Sequence, residues 1–77
     1  IEPSRHNAHK NLGLVRQGQG QWHDAANCFI EAYSLCPDDV RTWHLLSALF
    51  DLRPELLVQS VDLRTRFLEI GMGGAVH

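Results

Sequence analysis

His23, Asp24 and Cys28 bring an imidazole, a carboxylate and a thiol within six residues, the side-chain types of a nucleophilic site. A nucleophile needs its base within hydrogen-bond reach. On a helix these offsets scatter the three groups around the axis, so no catalytic residue is assigned and the chain reads as a non-enzyme. His6 and His9, at i, i+3, could touch one metal ion. Two imidazoles are too few for a closed site, so neither a metal nor a cofactor is implied. Cys28 and Cys36 are the only cysteines. On one helix they would stand about 12 Å apart along the axis, against the roughly 7 Å limit for a disulfide. They read as small buried hydrophobes in a reducing compartment, the cytoplasm.

The elements that would position such groups must fit a small chain. Its 77 residues are 44% hydrophobic, enough for one domain whose core is marginal without a staple or partner. Seven basic and nine acidic residues give a net charge of −2 with no basic block, which argues against a nucleic-acid partner. The apolar runs are too short to cross a bilayer, and no signal-peptide pattern is present. The chain opens on Ile1 rather than Met, which suggests a fragment or processed product.

Ser4 after Pro3 reads as an N-cap, and Ala8, Leu12 and Val15 follow on one helical face until Gly18 and Gly20. A second helix is predicted from Trp22 to Cys36. Trp22, Ala25, Ala26, Phe29, Ala32, Tyr33 and Cys36 form a single amphipathic stripe on it. Pro37 stops it, and Asp38 or Asp39 caps a third helix over Val40 to Leu52, marked by Trp43, Leu46 and Phe50. Pro54 and Glu55 open a fourth helix carrying Leu56, Leu63, Phe67 and Ile70 on one face. Gly71, Gly73 and Gly74 end it, leaving 72–77 as a flexible tail. No stretch alternates with the period of a strand.

Shifting the chain against itself by 34 residues aligns Pro3 with Pro37, Leu12 with Leu46, Gly13 with Ser47, Trp22 with Leu56, Phe29 with Leu63 and Tyr33 with Phe67. Leu12-Gly13, then Ala25, Phe29, Ala32 and Pro37, give the pattern L-G-x11-A-x3-F-x2-A-x4-P. This pattern and period resemble the tetratricopeptide repeat. The resemblance implies an all-α fold of antiparallel helix-turn-helix repeats, about four helices in a right-handed superhelical fragment. The helical domain would span 1–71, with a full unit over 6–39 and a degenerate second unit or capping hairpin over 40–71. Leu12, Gly13, Trp22, Ala25, Phe29, Ala32 and Pro37 become the packing residues. Gly13 and Ala25 let two helices approach, Phe29 fills the space beside them, and Ala32 leaves room for the next unit. Gly13→Leu would overpack this seam at a cost of about 1–3 kcal/mol.

The family's first helices line a concave groove. Carried onto this chain, that role falls to Asn7, Lys10, Leu14 and Gln17, then Arg41, His44, Ala48 and Asp51, with Lys10, Arg41 and His44 making one wall mildly basic. The implied function is non-catalytic binding of a protein or peptide partner, extended or helical, with an acidic group near Lys10 and Arg41. Lys10 and Asn11 match part of the family's carboxylate clamp, but Leu14 and Leu45 stand where it needs polar groups. His9 and Arg16 replace large aromatic residues of the family pattern. Gln59 and Arg66 replace alanines, so the last helix reads as a polar-backed solenoid cap.

The stretch "FLEIGMGGA", residues 67–75, resembles the nucleotide-binding loop of S-adenosylmethionine-dependent methyltransferases. That loop needs a strand before it and a helix after it. Only Ala75, Val76 and His77 follow Gly74, so it reads as a glycine-capped helix end. A helical appendage of a larger group-transfer enzyme stays open as an alternative, as does self-association into a homo-oligomer through apolar ends.

Overall fold

The computed structural model describes residues 5–76, with side chains to residue 71. Every regular element among them is helical: α1 (Arg5–Gly18), α2 (Trp22–Leu35), α3 (Val40–Leu52), α4 (Glu55–Gln59) and α5 (Val61–Val76). The fold is all-α, as expected, with five helices rather than about four.

α1 stops because Gly20 takes φ +79, a backbone conformation that favours glycine. That lets the Gln21 N–H reach the Arg16 carbonyl at 2.8 Å and the Gly20 N–H reach Gln17 at 3.0 Å. The two bonds form a Schellman closure that satisfies carbonyls the helix end would leave bare. α2 ends one residue short of Cys36, ahead of Pro37. Of the two candidate caps for α3, Asp39 does the work, its carboxylate accepting from the Arg41 N–H at 3.1 Å.

The fourth helix expected over Glu55 to Ile70 is interrupted. Ser60 adopts φ −117, ψ 107, and its hydroxyl oxygen accepts the Leu63 N–H at 3.2 Å. A serine offers the backbone a hydrogen bond that competes with helix continuation, so the chain ends α4 and restarts as α5. Nor do the glycines end α5, which runs past Gly71, Gly73 and Gly74 to Val76. Glycine in a helix costs only about 1 kcal/mol relative to Ala. Gly71 lies so near Trp43 that an added Cβ would stand 3.4 Å from its ring, so the small residue also fits the packing. Residues 72–76, expected as a tail, are therefore helical, and the stretch resembling a nucleotide-binding loop has no strand before it. The expected Ser4 cap and His77 lie outside the described residues.

The core joins Ala25, Ala26, Phe29 and Ile30 of α2, Leu46, Leu49 and Phe50 of α3, and Leu63 of α5. Phe29 and its repeat partner Leu63 are both fully buried. Each fully buried side chain of this size stabilises by about 1.5–3 kcal/mol. Trp43 holds α3 against its neighbours, stacked on Phe67 at 5.3 Å and tilted on Tyr33 at 5.2 Å. Phe50 meets Phe67 edge-on at 4.7 Å, so aromatic rings fill the space between α3 and α5.

α1 departs from its expected orientation. Ala8 is exposed, and Leu12 and Val15 keep 42% and 55% of their surface in solvent. Leu12 is thus not in the core. The residue of α1 that is buried is Gly13, flanked by half-buried His6, His9, Lys10, Arg16 and Gln17. The reason is steric. A Cβ on Gly13 would lie 2.6 Å from Phe29 Cε1, so α2 can come this close only at the glycine. The apolar stripe, on another side of α1, is turned outward.

Candidate interaction surface

The α1–α2 seam places Lys10 over the turn that leads into α3. Its ammonium stands 3.6 Å from the Asp39 carboxylate, with the Lys10 side chain only 13% exposed. The His6 imidazole stands 3.7 Å from the same carboxylate, and the Thr42 hydroxyl donates to it at 3.0 Å. Burial opposes ionisation of Asp39. The Thr42 hydroxyl, the Lys10 ammonium and the backbone N–H groups of Arg41 and Thr42 outweigh that and hold the carboxyl below its usual range. Asp39 thus fastens α1 to the start of α3.

This arrangement reshapes the expected groove. Lys10 faces Asp39 rather than standing free on a basic wall. Asn7, Arg41, His44, Ala48 and Asp51 are exposed, and Leu14 keeps 43% of its surface. Gln17 is half-buried, its amide oxygen without a hydrogen-bond partner among the described residues. The cationic character left for a ligand comes from Arg41 and His44. Of the packing residues, Gly13, Ala25, Phe29 and Ala32 are buried. Trp22 packs partly against the core beneath the Arg53 guanidinium, 4.7 Å from its ring centre, and Pro37 is exposed in its turn.

The second face is a polar seam between α2 and α5 that sequence reasoning did not assemble. Arg66 donates to Asn27 Oδ1 at 2.6 Å and to Glu31 at 3.1 Å, and lies 3.7 Å from Asp62. With Asn27 Oδ1 turned toward Arg66, its Nδ2 donates to His23 Nδ1 at 3.2 Å. His23 Nε2 then approaches the Ser60 hydroxyl at 3.5 Å. The signal was in the spacing: His23, Asn27 and Glu31 recur every four residues on α2, as do Asp62 and Arg66 on α5. Arg66, read as an obstacle to packing, tethers α5 back to α2.

His23 is therefore engaged by Asn27 and Ser60, and Cys28 stands as a half-buried free thiol. Desolvation pushes the Cys28 thiol up; Arg16 opposes this, and Asp24 and Glu31 reinforce it. Such a thiol is a poor nucleophile near neutral pH. Among the described residues no three potential metal ligands cluster, and no helix is long and apolar enough to cross a membrane. Compared with protein-family models, curated proteins and solved structures, the chain finds no match.

Proposed function

We propose that this chain is a non-catalytic protein–protein interaction module of tetratricopeptide type, binding a peptide or partner helix along α1 and α3. One observation carries the reading: Gly13 admits the Phe29 ring where any side chain would collide with it. The tetratricopeptide pattern reserves its small positions for such an approach. The equal burial of Phe29 and Leu63, 34 residues apart, supports the same register. Asn7, Leu14, Arg41, His44, Ala48 and Asp51 form the ligand-facing set, with Lys10 positioning the α1–α3 junction through Asp39. Arg41 and His44 favour a ligand with an acidic group. The two free thiols support a reducing compartment, the cytoplasm.

The test is fluorescence anisotropy of the intact chain against labelled acidic peptides. Arg41→Glu with His44→Glu should weaken capture about tenfold, the loss of roughly 1.4 kcal/mol. Equal affinity in wild type and the double variant would overturn the groove assignment.

A further inference from the structure

The exposed apolar stripe of α1 is a second surface, distinct from the groove. Ala8, Leu12 and Val15 correspond, 34 residues on, to Thr42, Leu46 and Leu49 of α3. All three of those are 0% exposed, whereas Leu12 and Val15 are 42% and 55% exposed and Ala8 is open. The difference follows from the number of neighbours. The α3 stripe belongs to a core shared with α2 of the preceding hairpin and α5 of its own. α1 has its own second helix, α2, and among the described residues nothing takes the place that α2 takes beside α3.

Charge identifies what would fit there. α1 carries Arg5, Lys10 and Arg16 and no Asp or Glu. On a regular helix Arg5 and Arg16 fall along one border of the Ala8–Leu12–Val15 stripe. α2, which covers the equivalent stripe, carries Asp24 and Glu31 and no Lys or Arg. A second copy fits poorly. Its α1 would set cation against cation. Its α5 has Ser60 and Arg64 where α2 has Ala26 and Ile30, two residues of the core.

We infer that the outer face of α1 docks an amphipathic helix of a partner protein, with an apolar stripe bordered by acidic side chains, in the pose that α2 adopts on α3. The apolar stripe supplies the burial, and Arg5 and Arg16 set orientation through the partner's carboxylates.

The probe is a labelled synthetic peptide of residues 21–39 of this chain, with Cys28→Ser and Cys36→Ser, titrated against the intact protein at low and high salt. Saturable binding is expected, with amide shifts confined to α1 in a heteronuclear NMR spectrum. Leu12→Asp with Val15→Asp should weaken it about tenfold or more. Because both side chains are largely exposed, that variant keeps its helical circular dichroism. Arg5→Glu should weaken binding at low salt and much less at high salt. Arg41→Glu with His44→Glu should leave this affinity unchanged, so failure here and failure of the groove reading are separable. Three results would overturn the inference: no saturation at millimolar peptide, equal affinity in the Leu12→Asp, Val15→Asp variant, or sedimentation showing a dimer that this variant abolishes.

Discussion

Gly13→Ala is the smallest change that probes the helix seam, and two opposing effects decide its sign. Replacing a mid-helix glycine with alanine favours the helix by about 1 kcal/mol. Against this, the new Cβ would lie 2.6, 2.8 and 3.1 Å from Cε1, Cδ1 and Cζ of Phe29. Unstrained carbon contacts lie at about 3.5–4.0 Å, so the ring or the helix must move by about 1 Å. Phe29 is fully buried and cannot swing into solvent. Overpacking of this kind costs about 1–3 kcal/mol, and three ring atoms inside the limit place it in the upper half of that range. The net loss is about 1–2 kcal/mol, a fall in Tm of roughly 5–10 °C for a domain of this size. Gly18 supplies the control, since a Cβ there meets nothing within 4 Å and Gly18→Ala should be neutral or stabilising. Thermal and urea unfolding followed by circular dichroism would read both. Adding Phe29→Leu to Gly13→Ala should recover about 1 kcal/mol of favourable coupling. A Gly13→Ala protein as stable as Gly18→Ala would refute the close-approach argument.

Three further outcomes follow from local chemistry. The Asp39 carboxyl is held below its usual range in the folded state, so its contribution is present above the unfolded value near 3.8 and is lost as pH falls through the folded value. Asp39→Ala should cost about 1 kcal/mol near neutral pH, with the gap to wild type closing in acid unfolding curves. Ser60→Ala, which removes the α5 cap, should also cost about 1 kcal/mol in urea unfolding, whereas Ser60→Asp should retain most of the stability. The raised Cys28 thiol should react with iodoacetamide at pH 8 more slowly in the folded chain than in urea, measured by mass spectrometry on a Cys36→Ser background.

The helices α2 and α3 were legible because each carries a clean stripe between strong punctuation, Gly20 before one and Pro37-Asp38-Asp39 before the other. The Gly13–Phe29 seam was legible too, as a small residue set one repeat pattern away from a large one. α1 was misread in orientation because apolar periodicity identifies a face but not what covers it. Ala8, Leu12 and Val15 satisfy the helical period, yet the approach at Gly13 selects a different side. The break at Ser60 was missed because Leu56 and Leu63 are one heptad apart and suggest unbroken helix. The discriminating sign was Ser60 with Asp62 two residues later, a helix-start pattern inside an apparent helix. Gly71 misled in the opposite direction, since a glycine near a chain end resembles a terminator even where packing beside Trp43 suits it. In the candidate groove, residue exposure followed the repeat register, but the engagement of Lys10 did not. Its partner Asp39 is distant in sequence and was read only as a cap.

The two tryptophans make the molecule its own reporter of cooperativity. Trp22 lies beneath the Arg53 guanidinium at the first hairpin's entry, and Trp43 is stacked on Phe67 at the centre of the second. Each ring therefore senses a different hairpin through a different quenching environment. With Trp22→Phe and Trp43→Phe as single-emitter versions, the two fluorescence signals separate all-or-none melting from a molecule whose halves come apart in sequence.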